Sequence, residues 1–500
     1  MAGTVSRRWA VRRLVALGTG MVAAPLLAAC GGAATTAPAT ASPTAGSSNP
    51  VTAGTTSSIS RSQISSSSAA AAVPITTSSA SHSEALTSSA RNATTTGTGK
   101  AAGSAVTLRA IHWNAGDQQK VYDDRLDMAS ATLPGITVER SWATAATYDD
   151  KVIAALASGD PYDVMWTDSL HILPLIKQSA LIEVGRLLAR DKVDTSNLIR
   201  GSATFDEYRF GPRVFGMPDV TFAYLMFYNL DLLAAAGAQP LGDQATWDQE
   251  LELFQKVTKR QGDTVTAYGH DNQYGAGTRF MPLMWQFGGG LWRDPKLKTT
   301  LGFDLPGTEE AMQFLGDLAA KYHVMAATGA PNISFDKGTI ATTYTSSYTI
   351  VGADQRWKFK WLAAFAPQKT QHITCTITNG WNLAATGKHP DAAWQLIRYL
   401  GGTASQTDLV QNNLLSVDKA LNASKAYTTV PSAVREAIFA STATSRGLED
   451  LAHPVMLDWT AEWGKGRAAL LAGKTDAKTL FDEWQHRFQP QVAASASLYQ

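Results

Sequence analysis

Cysteine is nearly absent: two in 500 residues, which rules out a disulfide-stapled scaffold. A charge of one sign is missing too, since 43 basic residues stand against 42 acidic ones. No basic stripe, RNA-binding signature or zinc-finger spacing occurs, and this speaks against a nucleic-acid partner. The chain also lacks the local marks of catalysis: there is no Gly-x-Ser-x-Gly elbow, no His-Glu-x-x-His and no Cys-x-x-Cys. Gly288-Gly289-Gly290 is not a phosphate loop, because no Lys-Ser/Thr follows it and dinucleotide spacing is missing. Neither a cofactor nor a metal is expected, and an enzyme is the minor reading. The apolar run from Leu14 to Ala29, broken by small residues and Pro25, is too short and too rich in glycine and alanine for a permanent membrane span.

That run belongs to an export signal. Arg7-Arg8 and Arg12-Arg13 supply a basic head, and Leu27-Ala28-Ala29-Cys30 closes the segment with small residues before a cysteine. The paired arginines are similar to a twin-arginine signal, with an ordinary secretory head as the alternative. The ending matches a bacterial lipobox, so residues 1–29 read as a signal peptide and Cys30 as the lipidated first residue of the mature chain. An extracytoplasmic protein tied to the cell membrane is expected. Removing four arginines leaves 39 basic against 42 acidic residues, a net charge of −3. Cys375, in the strand-like Ile373-Thr374-Cys375-Thr376-Ile377, is then the one remaining thiol and reads as a buried structural group.

Residues 30–105 are dominated by Ala, Ser, Thr, Gly and Pro. Such a segment has too little apolar surface to offset its ordering entropy and is predicted to be a disordered tether. As a flexible coil it would span on the order of 50 Å. The residues from 106 onward exceed what one core usually supports, so two lobes are expected.

Period and punctuation predict strands at 106–113, 136–140 and 162–166 with helices at 121–133 and 148–158 between them. Gly159 closes the second helix. This strand–helix alternation means a parallel α/β sheet, in which ligands gather beyond the carboxyl ends of the strands. Those ends carry Trp113, Asn114 and Asp117, and Trp166 and Asp168: an indole plate beside hydrogen-bonding groups each time. Thr246 and Gln249 have capping-box spacing, and Trp247, Leu251, Phe254 and Val257 form one apolar helical stripe.

Several stretches resemble a known family when taken in order. They are Tyr148 to Asp163; Tyr228-Asn-Leu-Asp-Leu-Leu with Ala-Gly237 and Thr-Trp247-Asp; Phe280 to Leu291 with its three glycines; Phe335-Asp-Lys-Gly338-Thr-Ile-Ala341; Lys388 to Trp394; and Leu471-Ala-Gly473-Lys474-Thr475. The chain resembles the extracellular solute-binding proteins of sugar-type ABC importers, the maltose-binding-like group. Thr342 replaces the usual Met, and Tyr344-Thr-Ser346-Ser-Tyr348 replaces the expected Gly-Ser-Trp type of segment. The resemblance implies a two-lobe periplasmic-binding-protein fold (type II) that closes on its solute, a carbohydrate ligand, and ABC permease subunits as partners. It places crossings near Val220–Tyr224 and Ala364–Pro367, lobe one at 106–222 and 368–418, and lobe two at 223–364 and 419–500.

A sugar offers hydroxyls at its edge and C–H patches on its faces. Indole and phenol rings suit the faces, and carboxylates and amides the edge. The candidate ligand residues are therefore Trp113, Asn114, Asp117, Trp166, Asp168, Trp285, Tyr344, Ser346 and Trp381. The last is read as lying on a turn between Gly380 and Asn382. Each aromatic has a packing alternative, and Asp168 the alternative of a helix cap. Capture of a polyamine or peptide, or a lipid-anchored glycoside hydrolase using Asp117 and Asp168, are the competing readings.

Overall fold

In the computed structural model the described residues are 105–495, apart from 146, 170, 263 and 328–332. The signal segment, Cys30 and the Ala/Ser/Thr tether lie outside them.

The first sheet starts as the alternation predicts. Strand Val106–His112 lies parallel to Ile136–Trp142 on one side and to Val164–Thr167 on the other. Helices Asp117–Thr132 and Tyr148–Ala157 make the two connections. Gly159 adopts φ +75 where the second helix stops, a conformation that costs a side-chain-free residue little. The first helix begins four residues earlier than its apolar period suggests, because Asp117 occupies the opening turn as an acidic residue favoured there.

Next to Val164–Thr167 runs Thr374–Leu383, antiparallel, with Trp381 opposite Trp166. Beside it lies the longest strand of the described residues, Gly216–Asn229, buried at all fourteen positions. This strand joins two sheets. From Gly216 to Ala223 it pairs with Thr374–Leu383, and from Tyr224 to Tyr228 it pairs with Ile340–Ser346. Trp361–Ala364 flanks the same second half, and Thr264–His270 extends the second sheet in parallel. The architecture is thus a two-lobe α/β periplasmic-binding-protein fold, with one strand of about 45 Å serving both lobes.

Both faces of that strand are covered, which explains its largely apolar sequence, with Asp219 and Thr221 buried among the apolar residues. Phe222, Tyr224, Met226 and Tyr228 join the larger core. Ala223, Leu225 and Phe227 alternate to the other side and meet Val434, Ala437 and Ile438 of the helix Ser432–Ala443. In lobe two the Thr246–Gln249 capping box forms as predicted, and Trp247, Phe254 and Val257 are buried. Leu253 takes the buried place expected of Leu251, and Glu250 is buried as well. Trp459 and Trp463 stack, and Trp484 meets both edge-on, in the C-terminal helices Pro454–Leu471 and Ala477–Ser495. Cys375 is fully buried, and burial pushes its thiol well above the usual range, as suits a structural group.

The turn expected around Trp381 is not there. Asn379 to Asn382 continue the strand, with a register irregularity between Asn379 and Gly380. A Cβ on Gly380 would sit 2.2 Å from the Met217 carbonyl oxygen, so glycine allows the two strands to approach rather than turning the chain. Trp381 consequently points into the lobe and is 1 % exposed.

Candidate ligand-binding cleft

Where the crossing strand passes from one sheet to the other, a cavity of about 600 Å³ opens between the lobes. Its lobe-one wall is the stretch Ala115 to Gln118, beyond the carboxyl end of the first strand. Its lobe-two wall is Thr345, Ser346, Tyr348 and Thr349, the end of Ile340–Ser346 and the turn after it, with Arg279 and Arg356 alongside. Tyr224, at the strand position where partners change, forms part of the lining.

Three contacts cross this space. The Tyr348 hydroxyl donates to Asn114 Oδ1 at 2.7 Å, and Gln118 Nε2 donates to the Tyr348 carbonyl at 3.4 Å. Asp117 lies against Gly352, where a Cβ would meet its Oδ2 at 2.4 Å. Gly352 has φ +69, so both conformation and space favour glycine there. Asn114 is held from behind as well, its carbonyl accepting the Trp142 indole N–H.

Of the nine residues singled out from sequence, Asp117 and Ser346 line the cavity, and Asn114 reaches it through Tyr348. Trp113, Trp166 and Trp381 come together inside lobe one. Trp113 and Trp166 have ring centroids 4.6 Å apart, and Tyr122 packs 5.0 Å from Trp166 and 6.4 Å from Trp381. One face of Trp113 is taken by His171, stacked at 4.5 Å. Asp168 accepts the His171 backbone N–H at 3.0 Å and contacts its ring Nδ1 at 2.7 Å. Burial pulls the His171 pKa down, but Asp168 and then Asp149 outweigh it and raise it to about 9.

Four of the nine are shut away, each 1 % exposed: Trp166, Trp285, Tyr344 and Trp381. Tyr344 packs on Tyr224 at 5.9 Å and its hydroxyl bonds Thr374 Oγ1 at 2.7 Å. Trp285 lies in the helix Gly277–Gln286 under the Arg446 guanidinium, 4.5 Å from its ring. Tyr344 and Ser346 both pair with the crossing strand, at Met226 and Tyr224, but Ser346 is the last residue of its strand, where the chain leaves the sheet and opens onto the cavity.

Sequence reasoning missed Arg279, Arg356, Gln118 and Tyr224 as lining. Arg279 stands one residue before the glycine-rich stretch that begins at Phe280, and no local pattern marks it. Its three nitrogens are held by the Tyr344 carbonyl at 2.9 Å, the Gln273 carbonyl at 3.0 Å and Thr345 Oγ1 at 2.8 Å. Arg356 donates to the carbonyls of Val351 and Thr349.

No curated protein matches this chain in sequence. Solved structures do match in fold. The ABC substrate-binding protein Lmo0181 of Listeria monocytogenes, solved with cycloalternan, superposes with a TM-score of 0.68 at 18 % identity, covering 78 % of this chain and 98 % of that one. The maltose/maltodextrin-binding domain MalE of Bdellovibrio bacteriovorus, bound to maltotriose, gives 0.63 at 15 % identity over 78 % and 100 %. UgpB of Mycobacterium tuberculosis, in complex with glycerophosphocholine, gives 0.65 at 18 % identity over 77 % and 98 %. The sequence profile described as bacterial extracellular solute-binding protein matches residues 115–407. That match takes in both lobes and the strand that joins them, and the chain belongs to the bacterial extracellular solute-binding protein family, whose members are transport proteins and not enzymes.

Proposed function

We propose that this protein is the lipid-anchored capture component of an ABC importer, binding a carbohydrate between its lobes and handing it to the permease. The observation that carries the reading is the cavity at the lobe junction, walled by Asp117, Gln118, Ser346 and Tyr348. These groups offer a carboxylate, an amide and hydroxyls at a surface that water leaves when the lobes close, which suits the hydroxyl edge of a sugar. The carbohydrates bound by the Listeria and Bdellovibrio proteins support the same class.

Trp113 is half-buried beside this wall and is the aromatic we assign to the sugar face, with Asn114 and Asp168 holding the loops around it. Trp166, Trp285, Tyr344 and Trp381, sealed in the packing, would shape the lobes rather than touch the ligand, whose entry requires the lobes to part. Hinge opening about the crossing strand near Val220–Tyr224 and the segment at 364–367 is the motion this needs. Lobe one would comprise 106–222 and a return from 368 to about 425, because the helix Lys419–Lys425 packs on Thr403–Gln411. Lobe two would take 223–364 and the remaining C-terminal helices. Cys30 would carry the lipid, and residues 31–105 would hold the lobes away from the membrane.

Titration of intrinsic tryptophan fluorescence with a panel of mono- and oligosaccharides tests the assignment. A saturable change with a carbohydrate supports it. Saturation by iron or polyamines alone would remove it, and turnover of a chromogenic glycoside above blank would return the hydrolase reading.

A further inference from the structure

We infer that the cleft selects a polyhydroxylated solute bearing one negatively charged group, a carboxylate or a phosphate, with Arg279 as the principal residue that reads the charge. The inference rests on the carbohydrate reading above and narrows its ligand class.

Two guanidiniums, Arg279 and Arg356, face one cavity whose single carboxylate is Asp117. Among the described residues neither arginine has a carboxylate within ion-pair distance; both are tied to carbonyl and hydroxyl oxygens instead. Arg279 is half-buried and fixed at Nε, Nη1 and Nη2. Five N–H donors leave it capacity beyond those three bonds. A guanidinium fixed in this way has given up water and lost its rotational freedom before any ligand arrives. It therefore binds an anion with little further ordering.

Asp271 of lobe two feels the Arg279 charge but, among the described residues, makes no ion pair with it. It is 2 % exposed, and its Oδ2 accepts from Thr343. Burial raises its pKa to about 6, against the pull of Arg279. The Arg279 charge also reaches His270, which burial and then this arginine push down to about 3. Two guanidiniums against one lining carboxylate leave the cavity wall itself with an excess of positive charge, which an anionic group on the ligand meets directly and which opposes a polycation. That opposition argues against the polyamine alternative.

The test measures binding to the full-length protein by calorimetry with matched pairs: glucose and glucuronate, galactose and galacturonate, glucose and glucose 1-phosphate, glycerol and glycerol 1-phosphate. At least one acidic member should bind about tenfold or more tightly than its neutral partner. That preference should shrink on raising the salt concentration and be lost in Arg279→Gln. Arg356→Gln, at an exposed side chain that gives up bonds to the Val351 and Thr349 carbonyls, should reduce it several-fold and serves if the first variant fails to fold. Preference for uronates over phosphates, or the reverse, identifies the group. Neutral members binding as well as acidic ones overturns the charge inference and leaves the carbohydrate reading intact. Binding of no member of either kind overturns both.

Discussion

Glu250 offers a quantitative test of the second lobe. The carboxyl group is fully buried in the helix Trp247–Val257; Oε1 accepts from the Tyr228 hydroxyl, and Oε2 has no hydrogen-bond partner. No cation lies within ion-pair distance among the described residues. Burial raises its pKa from 4.5 to about 8, with the tyrosine bond opposing that shift. Because the folded value exceeds the unfolded one, the contribution to stability is complete below pH 4.5 and is lost as pH rises through 8. The two values differ by three and a half pH units. At about 1.4 kcal/mol per unit this gives an upper limit of about 5 kcal/mol, of which about 4 kcal/mol falls between pH 5 and pH 9. Glu250→Gln keeps an acceptor for Tyr228 and cannot ionise. Urea denaturation of both proteins at pH 5, 7 and 9, followed by tryptophan fluorescence, isolates the term, because the titrations of all other groups cancel in the difference. The variant should gain on the wild type by several kcal/mol as pH rises. Parallel profiles would mean that Glu250 is hydrated or paired, and the dry second-lobe core described here would be wrong.

Four further outcomes follow from the same structure. Trp381→Ala, a binding-only change had the indole sat on a cleft loop, should cost about 3–5 kcal/mol of stability because the ring is sealed inside lobe one; an unshifted thermal transition would contradict that packing. Asp219→Asn strands the buried Arg125 guanidinium, which the carboxylate holds through two bonds at 2.9 and 2.6 Å, and should destabilise lobe one by about 3–5 kcal/mol; a loss under 1 kcal/mol would show the pair to be solvated. Tyr348→Phe removes the hydroxyl that bridges to Asn114, and about 1 kcal/mol corresponds to a roughly fivefold rise in the open-to-closed ratio without ligand, visible as a larger radius of gyration in solution scattering; an unchanged radius would deny the bridge any role in closure. Stability from the His171–Asp168 pair should be complete below pH 6.5 and decline as pH rises through 9, and a His171→Gln variant should lack that decline in a pH series of melting temperatures.

Much of the fold was legible in one dimension. Strands with period two and helices with period 3.6 lie where the apolar pattern put them from Val106 to Thr167, because local sterics and one-sided burial act within a few residues. The capping box at Thr246 and Gln249 is equally local. Glycine at 380 was misread for a physical reason. A turn and a close strand approach ask for the same residue, and only the neighbouring strand, with the Met217 carbonyl 2.2 Å from a would-be Cβ, distinguishes them. The site was legible in part. Asp117 follows from its place beyond the carboxyl end of the first strand and Ser346 from the segment where the family resemblance points, whereas the buried rings could not be separated from lining ones by residue type, since an indole suits both a core and a sugar face.

What the sequence alone determined is therefore the local grammar: the α/β alternation, the helix cap and the apolar periods, and the absence of catalytic motifs. The tertiary structure decided which polar groups meet. Arg279, Asp117 and Tyr348 are far apart along the chain and converge on one cavity because Gly216–Asn229 pairs with a different sheet on either side of Tyr224. Charge and hydrogen bonding act through space over a few ångströms, and that proximity is set by the crossing strand, which no local pattern encodes.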